Sequence, residues 1–359
     1  MIIDAHEDLA YNSLLENRDY ILSVPKNRKL DSERSSFLTS TGWSEMQKGN
    51  IGIVFGTIFL DPPDAETIKH PIGTWYEKGE ICHKAVMAQL DFYHRWCDEM
   101  PEKFCLIENR KVFHEVVKNW QENPPVFPEK TNPVGLIILW EGAEGLRSFE
   151  DLDLYYERGV RLIGPVWHGG RWCGGSNDGL RFTDDGRKLL DKMADKGFIL
   201  DLAHMNTVST LDALDLYPGT VVVTHADCRA LLKNPPNERQ MADETIERLI
   251  DRNGVMGVLP FNGFLNTDWK SGSPRSMVTL RTLADHIDHI CQIAGDARHA
   301  AIGTDMDGGF GYPDIPEEMN DISDIGKLGT ILAEKGYKQQ DIDAVFYGNW
   351  ARILEDSLS

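Results

Sequence analysis

The sequence predicts an α/β protein built as a (β/α)8 TIM barrel. Three features lead there: eight short apolar runs, helix-like stretches between most of them, and no Gly-rich phosphate turn after the first run, where a doubly wound sheet would carry one. The runs are Met1–His6, Ile51–Leu60, Val134–Trp140, Val160–Trp167, Gly197–Ala203, Thr220–Thr224, Gly254–Pro260 and His299–Gly303. Most are continuous rather than alternating, as parallel strands covered on both faces should be. The first run passes into His6-Glu7-Asp8, not into glycines.

Between the runs the punctuation is regular. The polar, charged stretch Glu16–Ser40 is expected to lie as a loop over one end. Pro62–Pro63, Pro124–Pro128 and Pro235–Pro236 mark loops rather than domain linkers. Glu80–Glu99 spaces its apolar residues as a helix does. Thr183–Lys196 starts at a residue able to cap it and stops before Gly197. Asn206–Leu216, Ala242–Arg252, Met277–Ala294 and Ile322–Lys335 repeat the pattern, and Gln339–Glu355 is expected to be a helical tail. The whole of 1–359 is therefore expected to be one catalytic barrel domain.

Composition narrows the partners. With 37 Lys+Arg against 57 Asp+Glu the formal charge is −20, a global field that repels nucleic acid and anionic membranes. There is no basic stretch followed by a long apolar run at the N-terminus, and no run approaches the roughly 20 apolar residues of a membrane span. The six cysteines form no CxxC pair, as expected of reduced thiols in a cytoplasm.

The chemistry gathers where the runs end. His6 and Asp8 close the first, Glu141 the third, His168 the fourth, Asp201 and His204 the fifth, His225 and Asp227 the sixth, Asp305 and Asp307 the eighth. In a barrel all of these reach the C-terminal mouth, where active sites sit. His6 and Asp8, two apart on an extended chain, point the same way. Imidazoles and carboxylates suit Zn²⁺ and its first-row neighbours, and no thiolate belongs to the set. Two ions sharing a carboxylate around an activated water would use most of these side chains.

Each residue also has a plain structural explanation. Glu141 can simply open a loop, Asp305 and Asp307 can cap a turn, and Asp201, inside its strand, can be structural or can orient a ligand. His70, His83, His94, His114, His286, His289 and His299 fall on helices, loops or a strand start and are read as structural. Five separate strand ends, each with a competent ligand, are hard to attribute to chance.

Asp4-Ala5-His6-Glu7-Asp8-Leu9, Glu141-Gly142, Asp201-Leu202-Ala203-His204, Thr224-His225-Ala226-Asp227-Cys228-Arg229, Gly303-Thr304-Asp305-Met306-Asp307-Gly308 and Gly348-Asn349-Trp350-Ala351-Arg352 stand in one order along the chain. This ordered set resembles the renal (membrane) dipeptidase family of the amidohydrolase superfamily. The resemblance implies two Zn²⁺ ions, or other divalent first-row metals: His6 and Asp8 on one, His204 and His225 on the other, Glu141 bridging. It implies that His168 contacts the scissile carbonyl oxygen, that Asp305 manages the proton of the bridging water, and that an arginine after the sixth run pairs with the substrate carboxylate. At the family's spacing that position is Pro236; a three-residue insertion makes it Arg239, with Arg229 as the fallback. The chain departs at Glu7, where the family has Asn; this extra acid is expected to face outward. It departs again at Phe261, where some relatives place Tyr. A homodimer is a family-level expectation.

The implied activity is hydrolysis of dipeptides, extending to a D-residue at the C-terminal position. The alternative is another metal-dependent amidohydrolase acting on an amide, lactam or lactone. The superfamily's cyclic-amidase and phosphotriesterase branches begin with HxH and bridge their metals with a lysine, whereas this chain has HxD and Glu141. A binding-only barrel would have no need of a water-activating pair beside Asp305, and an NAD-binding sheet lacks its glycine fingerprint.

Overall fold

The structure, a computed structural model, describes residues 1–31, 37–60 and 79–359. Pro62–Pro63 and His70 lie outside the described residues. Among the described residues there are nine parallel strands: β1 Ile2–Glu7, β2 Ile51–Phe59, β3 Phe104–Leu106, β4 Val134–Glu141, β5 Val160–Gly164, β6 Ile199–Asp201, β7 Val221–Val222, β8 Met256–Val258 and β9 Ala300–Ile302. The main sheet runs β1-β2-β4-β5-β6-β7, and β8 pairs with β9. Backbone hydrogen bonds carry the curl onward. Val223 N donates to Val255 O (2.9 Å) and Gly257 N to Val223 O (2.8 Å), joining β7 to β8. Asp305 N donates to His6 O (3.1 Å), bringing the end of β9 against β1. The eight apolar runs are thus the staves of a (β/α)8 barrel.

β3 is an addition. Its three residues pair with Val134–Leu136, below the point where β5 joins β4 at Ile138. A three-residue strand carries no period to read. The helices Arg110–Glu122, capped by the Asn109 side chain on Val112 N (3.0 Å), and Asp151–Glu157 are likewise additions to the expected set. The described part of the segment expected as a loop over 16–40 contains the helix Val24–Asp31. Asp31 accepts from Thr39 N (2.7 Å), and Ser40 N donates to Asp307 Oδ1 (2.7 Å), which fastens the segment to the mouth beside β9.

Two glycines set how closely the last staves approach. A Cβ on Gly303 would stand 1.8 Å from Thr224 O, and one on Gly257 2.1 Å from the same oxygen. Only a residue without a side chain lets β7, β8 and β9 converge there. The tail, expected to be helical over Gln339–Glu355, is helical without a break to Ser357, with Ala344–Gly348 in π geometry between the α segments Gln339–Asp343 and Asn349–Ser357. It seats the opposite end of the barrel. Asn349 Nδ2 donates to Ala297 O (2.6 Å) and Ala300 O (2.8 Å), and the buried Trp350 donates to Ile302 O (2.8 Å). The Asn-Trp pair of the last motif thus anchors β9, one end of which faces the tail and the other the mouth.

Candidate metal centre and substrate cavity

The ends of β1, β6 and β7 converge on Glu141, the last residue of β4. Its Oε1 lies 2.7 Å from His204 Nε2 and 3.5 Å from His225 Nε2; its Oε2 lies 3.5 Å from His6 Nε2. His204 Nε2 and His225 Nε2 are 2.9 Å apart. On the other flank, His6 Nε2 is 3.8 Å from Asp8 Oδ1 and 3.6 Å from Asp305 Oδ1. Ligand atoms of His6, Glu141 and His225 lie within 4.8 Å of one another, and so do those of His6, Asp8 and Asp305. The structure therefore brings Glu141 together with His6, His204 and His225, and His6 together with Asp8 and Asp305.

Local backbone explains the convergence. β1 stops at Glu7, after a register irregularity against β2, so Asp8 leaves the strand yet still turns toward His6. Thr57 on β2 donates to its Oδ1. His204, Asp305 and Asp307 occupy the left-handed region, with φ of 69°, 54° and 69°. Such geometry costs roughly 1–3 kcal/mol per residue and persists where surroundings over-determine it. Here the partners are visible for Asp305, held through its N–H on His6 O (3.1 Å), and for His204, whose carbonyl accepts from Ser176 Oγ (3.0 Å).

Behind these side chains a layer of carboxylates orients the rings. Asp201 accepts from Thr224 N (2.9 Å) and Thr224 Oγ1 (2.6 Å), and Thr224 Oγ1 lies 2.9 Å from His225 Nδ1. Asp201 thus acts on His225 through Thr224, the orienting option of the two open for it. Asp4 is the counterpart under β9, accepting from Thr304 N (2.7 Å) and Thr304 Oγ1 (2.6 Å). Asp307 braces the loop: it accepts from Ser40 N and lies 3.8 Å from Arg18. Burial, partly offset by Arg18, pushes it up to about 6.

Glu7 corrects an expectation. It does not face outward but is fully buried, its Oε1 accepting from Thr304 Oγ1 (3.1 Å). The alternation does turn it away from His6. That side of β1, however, is covered by the β9 end, so burial and the neighbouring Asp4 and Asp307 push its proton affinity well up.

The donor set fits divalent cations. His6 is wholly buried, yet neither ring nitrogen makes a hydrogen bond of ordinary geometry. A buried polar atom without a partner is costly, and a metal would satisfy Nε2. Electrostatics agree. Burial, with Asp8 and Glu141 close by, drives Asp305 well above the usual carboxylate range. Burial opposes a charge on His6, but Glu141, Asp305 and Asp8 outweigh it and raise the ring to about 10. Burial, assisted by Arg239, lowers His204 to about 4, and burial with His6 and Arg239 lowers His225 well below its ordinary value, leaving both rings neutral, the form that ligates. The surrounding carboxylates thus favour a positive charge at His6 Nε2, while His204 and His225 stand as neutral nitrogen donors.

A cavity of about 560 Å³ opens over the cluster, lined by Asp8, Glu141, His204, Asp305 and Arg239 among others. Arg239 is buried, with Nη2 donating to His225 O (2.9 Å) while Nε and Nη1 have no partner among the described residues. Arg229 is half-buried, 3.9 Å from Glu238, and does not line the cavity. His168 stands apart: it is exposed on the loop after β5, its ring stacked 6.0 Å from that of Trp167. The residues that sequence reasoning passed over are Thr57, Thr224 and Thr304, which the carboxylates bind; no spacing rule would single out a threonine.

Comparison with known proteins adds the following. A family model described as membrane dipeptidase, peptidase family M19, matches residues 1–358. An uncharacterized protein from the pqqA 5′ region of Klebsiella pneumoniae is 31% identical over 233 residues, covering 62% of this chain and 82% of its own. An uncharacterized dipeptidase of Schizosaccharomyces pombe is 25% identical over 98% of this chain and 80% of its own. Among solved structures, a metallo peptidase from Rhodobacter sphaeroides liganded with a phosphinate mimic of the dipeptide L-Ala-D-Ala superimposes with a TM-score of 0.76, at 21% identity over 99% of each chain. At that identity the likeness is one of fold.

Proposed function

The chain belongs to the membrane dipeptidase family, peptidase family M19, and from that footing we propose that it hydrolyses dipeptides with two Zn²⁺ ions held by His6, Asp8, Glu141, His204 and His225. The observation that carries this reading is a single carboxylate, Glu141, with two imidazoles on Oε1 and a third on Oε2. His6 and Asp8 would hold one ion, His204 and His225 the other, and Glu141 would bridge them. Bound there, such ions polarise a scissile carbonyl and bring the pKa of a water from 15.7 toward about 7.

The protein's own groups supply the rest. Arg239 offers two buried, unpartnered N–H groups to the C-terminal carboxylate of the substrate. This fixes the peptide bond over the cluster. Asp305 takes the proton of the attacking water and returns it to the departing nitrogen. The carbonyl carbon gains the water oxygen, the C–N bond breaks, and the amine leaves with that proton. His168 would contact the scissile carbonyl oxygen, which requires its loop to turn inward from the position described above. The relative bound to a mimic of L-Ala-D-Ala supports extending the reading to a D-residue at the C-terminal position. The six cysteines, which form no CxxC pair, support a cytoplasmic setting, and no helix among the described residues is long and apolar enough to cross a membrane.

The test combines substrate, chelator and metal count. Protein prepared without chelator is expected to contain about two metals per chain. It should cleave L,L and L,D dipeptides faster than lactam or ester substrates. A chelator should abolish cleavage and Zn²⁺ should restore it. Full activity without metal, or faster turnover of a lactam, would refute the reading. Arg239→Ala is expected to raise KM for dipeptides by about 10-fold or more, the loss of a charge-assisted hydrogen bond. An unchanged KM would remove Arg239 from the site.

A further inference from the structure

Beyond the metal cluster and Arg239, the cavity is walled mainly by aromatic rings, in two groups. Over β1, β2 and β5 stand Tyr11, Phe59 and Trp167, with centroids 5.0 Å apart for Tyr11–Phe59 and 5.1 Å for Phe59–Trp167. Over β8 and β9 stand Phe261, Phe264 and Phe310, at 4.9 Å for Phe261–Phe264 and 4.6 Å for Phe261–Phe310. Arg239 joins the second group, its guanidinium 5.4 Å from the Phe264 ring centroid. Phe59 and Phe310 are buried, but Tyr11, Trp167, Phe261 and Phe264 are only half-buried. Phe37 also lines the cavity and is half-buried, so five large rings offer apolar surface there, and a ligand that covers it gains in proportion to the area removed from water. Among the described residues, Glu16 is the one charged side chain lining the cavity outside the cluster and Arg239, and it opposes an acidic ligand.

We propose that this cavity selects dipeptides with bulky apolar, above all aromatic, side chains at both positions. The inference rests on the dipeptidase reading. With the substrate carboxylate on Arg239, the C-terminal side chain falls against Phe261, Phe264 and Phe310. The N-terminal side chain, across the scissile bond, falls against Tyr11, Phe59 and Trp167. The cavity volume, about 560 Å³, lies in the range of roughly 300–1,000 Å³ usual for small-molecule sites.

The test uses the Zn²⁺-loaded, full-length protein. Phe-Phe is expected to exceed Ala-Ala in kcat/KM by at least about 10-fold, and Asp-Asp to fall below Ala-Ala. Ratios within each variant locate the two walls. Trp167→Ala should shrink the Phe-Ala over Ala-Ala ratio and spare the Ala-Phe over Ala-Ala ratio; Phe261→Ala should do the reverse. Calorimetric binding of phosphinic dipeptide mimics carrying two benzyl or two methyl groups gives a readout independent of turnover, with the benzyl compound binding at least about 10-fold tighter. Equal kcat/KM across the panel, with Ala-Ala readily cleaved, would overturn the specificity and leave the dipeptidase reading standing. Absence of cleavage throughout would overturn the dipeptidase reading, and equal affinity of the two mimics would then overturn the specificity as well.

Discussion

Glu141→Gln is expected to lower the metal content from about two per chain to below one and to reduce dipeptide turnover on the order of 10³-fold, the equivalent of several kcal/mol of lost charge stabilisation. Gln has the same shape and keeps one acceptor oxygen, so the change is chiefly one of charge. In the wild type, burial works against the Glu141 carboxylate, but His6 and His204 overcome it and hold it well below its ordinary range. The amide would lose that attraction. It would also present an N–H₂ group to at least one imidazole nitrogen that a cation should occupy. The backbone has no reason to move, since Glu141 is fixed by its β4 pairing opposite Phe59 and Gly164. Elemental analysis, far-UV circular dichroism and steady-state rates on one preparation would separate these effects. A folded variant with two metals and undiminished turnover would show that Glu141 bridges nothing.

The residues that were legible in the sequence share a physical property. Ile51–Phe59 and Val134–Glu141 are long runs dominated by aliphatic and aromatic residues with little alternation, the pattern of strands buried on both faces, and every position is buried. The metal-competent side chains were legible because a parallel barrel sends all strand ends to one mouth, a consequence of topology that needs no side-chain detail. What failed depended on neighbours far along the chain. Glu7 was assigned by alternation to the face away from His6, which holds. Whether that face is wet depends on Thr304, 297 residues later. The Val24–Asp31 helix is polar in composition and owes its place to bonds such as Arg28 Nε to Thr39 O (2.8 Å) and Asp31 to Thr39 N. Arg239 could be chosen from sequence only by postulating an insertion; that it lines the cavity and keeps two buried nitrogens without a partner among the described residues is a spatial fact. His168, assigned by family likeness alone, lies on an exposed loop and outside the cavity lining.

Asp305→Asn is expected to keep both metals and to lose turnover by about 10²-fold or more, the usual contribution of a positioned proton carrier. Asn is close to isosteric with Asp and is among the few residues that enter the left-handed region readily, so the φ of 54° at this position should survive the substitution. The N–H bond to His6 O involves only backbone and should survive too. What disappears is a carboxylate whose affinity for a proton is raised first by burial and then by Asp8 and Glu141, against the pull of His6 and Arg239. The proposed role is to accept a proton from water and release it to an amine, and an amide does neither. Because Asp305 Oδ1 lies 3.6 Å from His6 Nε2, the same carboxylate is also near enough to serve as a ligand. The two roles separate in a single experiment: metal content and kcat measured on the same sample. Two metals with low kcat supports proton transfer. Loss of one metal together with activity would move Asp305 into the ligand set beside His6 and Asp8, and undiminished kcat would exclude both roles.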